Sequence, residues 1–247
     1  MNRVAIVLAV LLCGAASAAP KDDFLKAVRE RDAAAVKRLL AQDPSLANGA
    51  ISTALFTLVK GEGFLEPGKN EVLQAIVAAR PKLDLYDAAA VGTAEEVTKF
   101  LRVDPGAARA VNEFGWSALH VAAFAGNVPT TKVLLDAGAD VHLRAKTRFR
   151  NTPLQVALLT GQYRTARLLL ERGADPLDRQ AEGFAPIHEA AFLGRADLVE
   201  LLLAHGAEVN SRSDDGRTAM SEALRGKHTE LAELLRAKGA AVQKIDD

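Results

Sequence analysis

The stretch that decides the fold is residues 183–210, GFAPIHEAAFLGRADLVELLLAHGAEVN. Gly183 opens a turn, and Pro186 falls where a first helical turn tolerates a missing N–H. Gly194 interrupts the run before Asp197 begins a second one, so the stretch reads as a turn, two short helices and the start of a Gly-Ala hairpin. Leu198, Val199, Leu201, Leu202 and Leu203 make the second helix apolar over most of its circumference. Such a helix is stable only when it is sandwiched between copies of itself.

The chain supplies those copies. Gly-Ala recurs at residues 138–139, 173–174, 206–207 and 239–240, at spacings of 35, 33 and 33. The segments ahead of it recur as well: Ser117-Ala118-Leu119-His120, Thr152-Pro153-Leu154-Gln155, Ala185-Pro186-Ile187-His188 and Thr218-Ala219-Met220-Ser221. A period near 33 with this TPLH-like signature resembles the ankyrin repeat. Four consecutive units match from Val111 to about Val242, and Lys21 to Ala110 match in degenerate form. The resemblance implies an all-α ankyrin-repeat solenoid of about seven helix-turn-helix units with short β-hairpin fingers. It also implies a protein partner and no enzymatic activity.

Composition agrees with stacked helices. Lys and Arg total 31 and so do Asp and Glu, which removes the basic balance expected of a general nucleic-acid binder. Aromatics are scarce at 5%, while Ala and Leu are abundant, as close helix packing requires. Residues 1–18 read differently: Arg3, an unbroken apolar run from Val4 to Leu12, then small residues with Ala16-Ser17-Ala18 at an A-x-A cleavage site. This is a secretory leader of bacterial type, cut near Ala18, and it predicts a periplasmic or secreted protein. The run falls short of the ~20 residues that a membrane helix needs. Cys13 is the only cysteine, and bulky Leu12 before it argues against acylation. After cleavage the mature chain has no thiol, so disulfides and cysteine chemistry drop out.

Residues 19–84 read as degenerate, capping repeats and residues 85–247 as the main array. Lys26, Arg29, Glu30, Arg31, Lys37 and Arg38 give the first unit the polar outer face of a terminal repeat. Helices are expected over Ile51 to Lys60 and Asn70 to Ala79, with a long loop between them, and Pro81 marks a possible joint. Tyr86 to Val111 reads as two helices around Gly92, closed by Asp104-Pro105 in place of Gly-Ala. One finger is two residues longer than the others and basic: Arg144-Ala145-Lys146-Thr147-Arg148-Phe149-Arg150. In an extended strand its four charges would share one side and form a positive edge.

Candidate chemistry does not survive inspection. Gly63 to Asn70 falls one residue short of a phosphate loop, with Asn70 replacing the hydroxyl, Glu66 adding negative charge and Pro67 lacking an N–H. His120 and His188 occupy the histidine of the TPLH-like motif, where the resemblance implies a bridge between hairpins. His142, His205 and His228 are isolated, so no metal or cofactor is expected. Ser213-Asp214-Asp215-Gly216 lacks the final glutamate of a calcium loop and reads as a turn. Glu189 and Glu222, one repeat apart, would have to act as a carboxylate pair with no accompanying pocket.

The positive evidence is the surface that the resemblance implies for partners, namely the fingertips and the ends of the first helices. Fingertip places hold Glu113, Phe114 and Trp116, then Arg148, Phe149 and Arg150, then Phe184, then Asp214, Asp215 and Arg217. Helix places hold Phe124, Leu159 with Thr160, Phe192 with Leu193, and Arg225 with Gly226. Six of the twelve aromatic residues fall here. Stacking should align Phe124, Leu159 and Phe192 into an exposed apolar row with Trp116, Phe149 and Phe184 leaning over it. Aromatic and arginine side chains on an exposed concave face are the usual material of binding hot spots. The expected partner is therefore another protein, met by a monomer. An anionic ligand such as a polysaccharide, lipid headgroup or nucleic acid on the finger 144–150 is the alternative, and a hydrolase a remote one.

Overall fold

A computed structural model describes residues 19–48, 50–51, 71–79, 81–112 and 115–241. Thirteen α-helices lie among them: α1 (Ala19–Glu30), α2 (Ala33–Gln42), α3 (Glu71–Ala78), α4 (Leu85–Val91), α5 (Ala94–Val103), α6 (Ala118–Ala125), α7 (Val128–Asp136), α8 (Pro153–Leu159), α9 (Tyr163–Glu171), α10 (Pro186–Phe192), α11 (Ala196–Ala204), α12 (Ala219–Arg225) and α13 (Thr229–Ala237). They form six complete pairs, with α3 in addition. The leader, Cys13, the phosphate-loop-like segment and the expected helix Ile51 to Lys60, save its first residue, lie outside the described residues. No helix among the described residues is long and apolar enough to cross a membrane.

The recurring motif is a helix start. Ser117, Thr152 and Thr218 cap α6, α8 and α12, each accepting from the N–H three residues on. The residue at that third position reaches back to the cap's own N–H: Gln155 Oε1 accepts from Thr152 N at 2.9 Å, and Ser221 Oγ from Thr218 N at 2.9 Å. This reciprocal arrangement satisfies two orphan donors per helix. Pro153 and Pro186 stand in the first turn of their helices, where no N–H is missed. After α2 and α5 the expected Asp-Pro closures start 3-10 turns, Asp43 and Asp104 accepting from the N–H two residues on.

Inner helices α4, α6, α8, α10 and α12 stack directly on one another, while contact between outer helices thins from α5·α7 towards the C-terminus. Alanines such as Ala122, Ala123, Ala157, Ala190, Ala191 and Ala223 permit the close inner approach. The inner side is thus the tighter side of the stack, which is the geometry of a concave face. Leu198, Val199, Leu201 and Leu202 of α11 are buried, as the opening stretch predicts. The core runs unbroken from Phe24 to Ala240. The break at Pro81 interrupts helices but not that core, and Lys82 N–H donates to Asn48 Oδ1 at 2.7 Å across it.

The fingers differ from expectation. No strand occurs among the described residues; one isolated antiparallel bridge joins Val111 to Ser117. The physical reason is two turns per finger. Asp140 and Asp175 accept from the N–H groups of His142 and Leu177 at 2.9 and 2.8 Å, turning the base of each finger. A second turn closes the tip, as in Gly216 N to Ser213 O at 2.9 Å, so too few extended residues remain for a ladder. The fingers still touch: Ala181 N donates to Phe149 O at 3.1 Å and Asp214 N to Glu182 O at 3.0 Å.

Candidate partner-binding face

The two motif histidines are structural ties. His120 Nδ1 accepts from Ser117, and its Nε2 donates to Asn151 O in the next unit at 3.2 Å. His188 Nε2 donates to Ser211 O and Arg217 O at 2.9 and 3.1 Å. Burial lowers both pKa values, that of His120 to about 4, so the rings are neutral at pH 7 and bridge units as donor and acceptor together. The bridging that the resemblance implied is what the geometry shows. Among the described residues no group of three His, Cys, Asp or Glu could hold a metal ion.

The expected exposed aromatic row is corrected. Trp116 is 3%, Phe124 3%, Phe149 8%, Leu159 6% and Phe184 1% exposed. Only Phe192 and Leu193 retain partial exposure, and Glu113 and Phe114 lie outside the described residues. The cause is the tight inner stacking, which closes each unit's aromatic against its neighbours. Trp116 packs at 6.0 Å from Phe124 and 5.5 Å from His120, ring centre to ring centre, and Phe184 meets His188 edge-on at 5.4 Å.

Phe184 and Phe192 are covered by arginine. Positions 33 residues after Phe184 and Phe192 hold Arg217 and Arg225. Their guanidinium carbons sit 4.6 Å above the two ring centroids. Both are held by one carboxylate: Arg217 Nη1 lies 3.3 Å from Glu222 Oε1 and Arg225 Nη2 lies 2.6 Å from Glu222 Oε2. Glu222 is buried. Arg217 also meets Asp215, with Nε at 2.6 Å and Nη2 at 2.5 Å. The arrangement supplies charge-assisted clamping, and Glu222 is engaged by two arginines while Glu189 accepts from Gln180 at 3.2 Å.

The basic finger is also corrected. A bend at Lys146 and Thr147 and a turn at Arg148 and Phe149 replace the extended strand, so its four charges do not form one edge. Arg144 points into the array, paired with Asp178 and donating to Arg179 O at 2.7 Å. Arg148 lies 3.7 Å from Glu182 of the next finger, while Lys146 and Arg150 face solvent. Arg150 occupies the tip place held elsewhere by Gly115, Gly183 and Gly216, and shares their positive φ at 54°.

Sequence reasoning placed Arg217 in this face but missed its clamp with Glu222, Arg225 and Asp215. The signal was the column itself: Trp116, Asn151, Phe184, Arg217 and Phe124, Leu159, Phe192, Arg225 are equivalent places, and both columns carry a basic residue only in the unit that holds Arg217 and Arg225. A family model described as ankyrin repeats (3 copies) matches residues 85–180 and again residues 175–246. No curated protein matches the chain.

Proposed function

Since the chain belongs to the ankyrin-repeat family, whose repeats indicate protein–protein interaction modules, we infer that it is a non-enzymatic binder meeting a protein partner with its concave side. The supporting observation is the layering of that side. Buried aromatics form a rigid base, and charged side chains pinned to them form the surface. A surface held in place loses little entropy on binding, which is the advantage a rigid repeat array offers.

On this reading Arg148, Arg150, Leu193 and Arg217 contact the partner together with the half-buried Phe192. Trp116, Phe124, Phe149, Leu159 and Phe184 serve by fixing that surface from below. The protein acts outside the cytoplasm, a reading supported by the leader-like residues 1–18 and the absence of any other cysteine than Cys13.

The test is affinity capture from periplasmic extract with the wild type, with Arg148→Glu plus Leu193→Glu on the concave side, and with Lys132→Glu on outer helix α7 as control. A partner held by wild type and control but lost by the double variant is the expected result. Equal capture by all three would sink the concave-face reading. Capture of anionic polymer lost on neutralising Lys146 and Arg150 would point instead to an anionic ligand on the finger.

A further inference from the structure

The clamp at the C-terminal end of the concave face has a chemistry of its own. Arg217 and Arg225 are tied to the two oxygens of a single carboxylate, so their guanidiniums lie side by side. Each guanidinium carbon already sits over a ring, Arg217 over Phe184 and Arg225 over Phe192, at 4.6 Å from the centroid. The side chains nonetheless keep 28% and 44% of their surface exposed. For Arg217 all three nitrogens already donate, Nε and Nη2 to Asp215 and Nη1 to Glu222. Three of its five N–H bonds are thus committed in the plane, which fixes the guanidinium and leaves its outer face accessible beside the exposed part of the side chain.

Charge narrows the choice further. Asp215 and Glu222 balance the two arginines, and Glu182 adds a third carboxylate acting on Arg217. An incoming anion would meet an already neutralised, carboxylate-rich cluster. An aromatic ring asks for neither net charge nor free donors: it stacks on the open face of a planar, weakly hydrated guanidinium, with the buried ring beneath completing a three-layer stack. Lysine could keep the ion pairs but could not offer the plane.

We propose that Arg217 and Arg225 form a platform on which an aromatic side chain of the protein partner stacks. This rests on the concave side being the partner-binding face, and it names the partner's anchor there as Trp, Tyr or Phe in preference to an acidic residue.

The test uses the full chain and two small probes, N-acetyl-tryptophanamide and glutarate, titrated while the arginine side-chain N–H signals are followed by NMR. The expected result is that the indole shifts the Nε–H resonances of Arg217 and Arg225, by ring current, at concentrations where glutarate does not. Arg217→Lys with Arg225→Lys, which lacks those resonances, is read from the backbone amide shifts of α12, where it should weaken the indole response roughly threefold or more, the scale of an exposed cation–π contact. The wild-type titration stands even if that variant folds poorly. Glutarate acting in place of the indole, an unchanged response in the double variant, or no response to either probe overturns the proposal. Partner capture abolished by Arg148→Glu plus Leu193→Glu, but with no indole response, would leave the concave-face reading intact and remove only this inference.

Discussion

At the turn between the two helices of a unit, glycine answers two demands at once. Gly194 has φ of 70°, a conformation that costs an ordinary residue about 1–2 kcal/mol. A Cβ there would also collide with the ring of His228, whose Nε2 reaches Phe192 O at 3.1 Å. The equivalent residue 33 places on is Lys227 at φ 63°, and among the described residues no further helix pair follows its own, so there only the backbone demand remains. Gly194→Ala should therefore cost about 2 kcal/mol or more, and Lys227→Gly should gain about 0.5–1 kcal/mol, both read from urea unfolding midpoints. His120 supplies a second residue-level test. Its folded pKa of about 4 lies below the unfolded value of 6.5 because of burial. Below 6.5 the unfolded chain takes up a proton that the folded ring refuses, so its contribution is fully present above pH 6.5 and is lost as pH falls towards 4. The loss amounts to about 3 kcal/mol when complete. The chain itself names the control, for Gln155 makes the same pair of contacts without titrating, through Oε1 to Thr152 N and Nε2 to Asp178 O at 2.8 Å. His120→Gln should keep the fold at pH 7 and flatten the decline of stability between pH 6.5 and 4; an unchanged pH profile would refute this role.

Helices α6, α8, α10 and α12 carry one column of side chains, and burial along it is uneven. Phe124 is buried and packs against Trp116, whereas Phe192, under Arg225, stays partly exposed. Phe124→Ala should cost about 3–5 kcal/mol by thermal or urea unfolding, as for any buried aromatic, and Phe192→Ala clearly less. Equal costs would mean that the column is packed evenly and that the arginine roof adds as much as a protein neighbour. The contrast also marks what was legible beforehand. The helix starts at Thr152 and Thr218, Pro at the first turn and the 33-residue spacing are local chemistry, and the array from residue 85 onward follows from them. Exposure at Phe124 or Phe184 is not local, because it depends on how closely the neighbouring inner helix approaches, and that distance is set by alanines on another repeat. The same holds for the fingers, where alternation of charge from Arg144 to Arg150 suggested a strand. Arg144 instead answers to Asp178, 34 residues away, and a two-residue insertion turns the tip.

Across the molecule, stability is shared between repeat interfaces, and the last unit is both a wall and a roof. It provides the carbonyls of Ser211 and Arg217 that accept from His188, the arginines that cover Phe184 and Phe192, and the α12 surface that buries Ala190 and Ala191 of α10. Cutting the chain after Ala207 removes all of these together. The cut bares the side of α10, α11 and the finger before them, where Phe184, Ile187, Ala191 and Leu198 are fully or almost fully buried in the intact chain. A solenoid propagates through nearest neighbours, so the damage should centre on the unit next to the cut and leave distant units folded. The expected outcome for residues 19–207 is a melting point lower by roughly 10 °C or more, given that each kcal/mol moves a chain of this size by about 2–4 °C. Amide exchange should speed up in α10 and α11 while α4 to α6 keep their protection. Uniform loss of protection along the whole array would show instead that the repeats fold as a single cooperative block, with the C-terminal unit as its indispensable member.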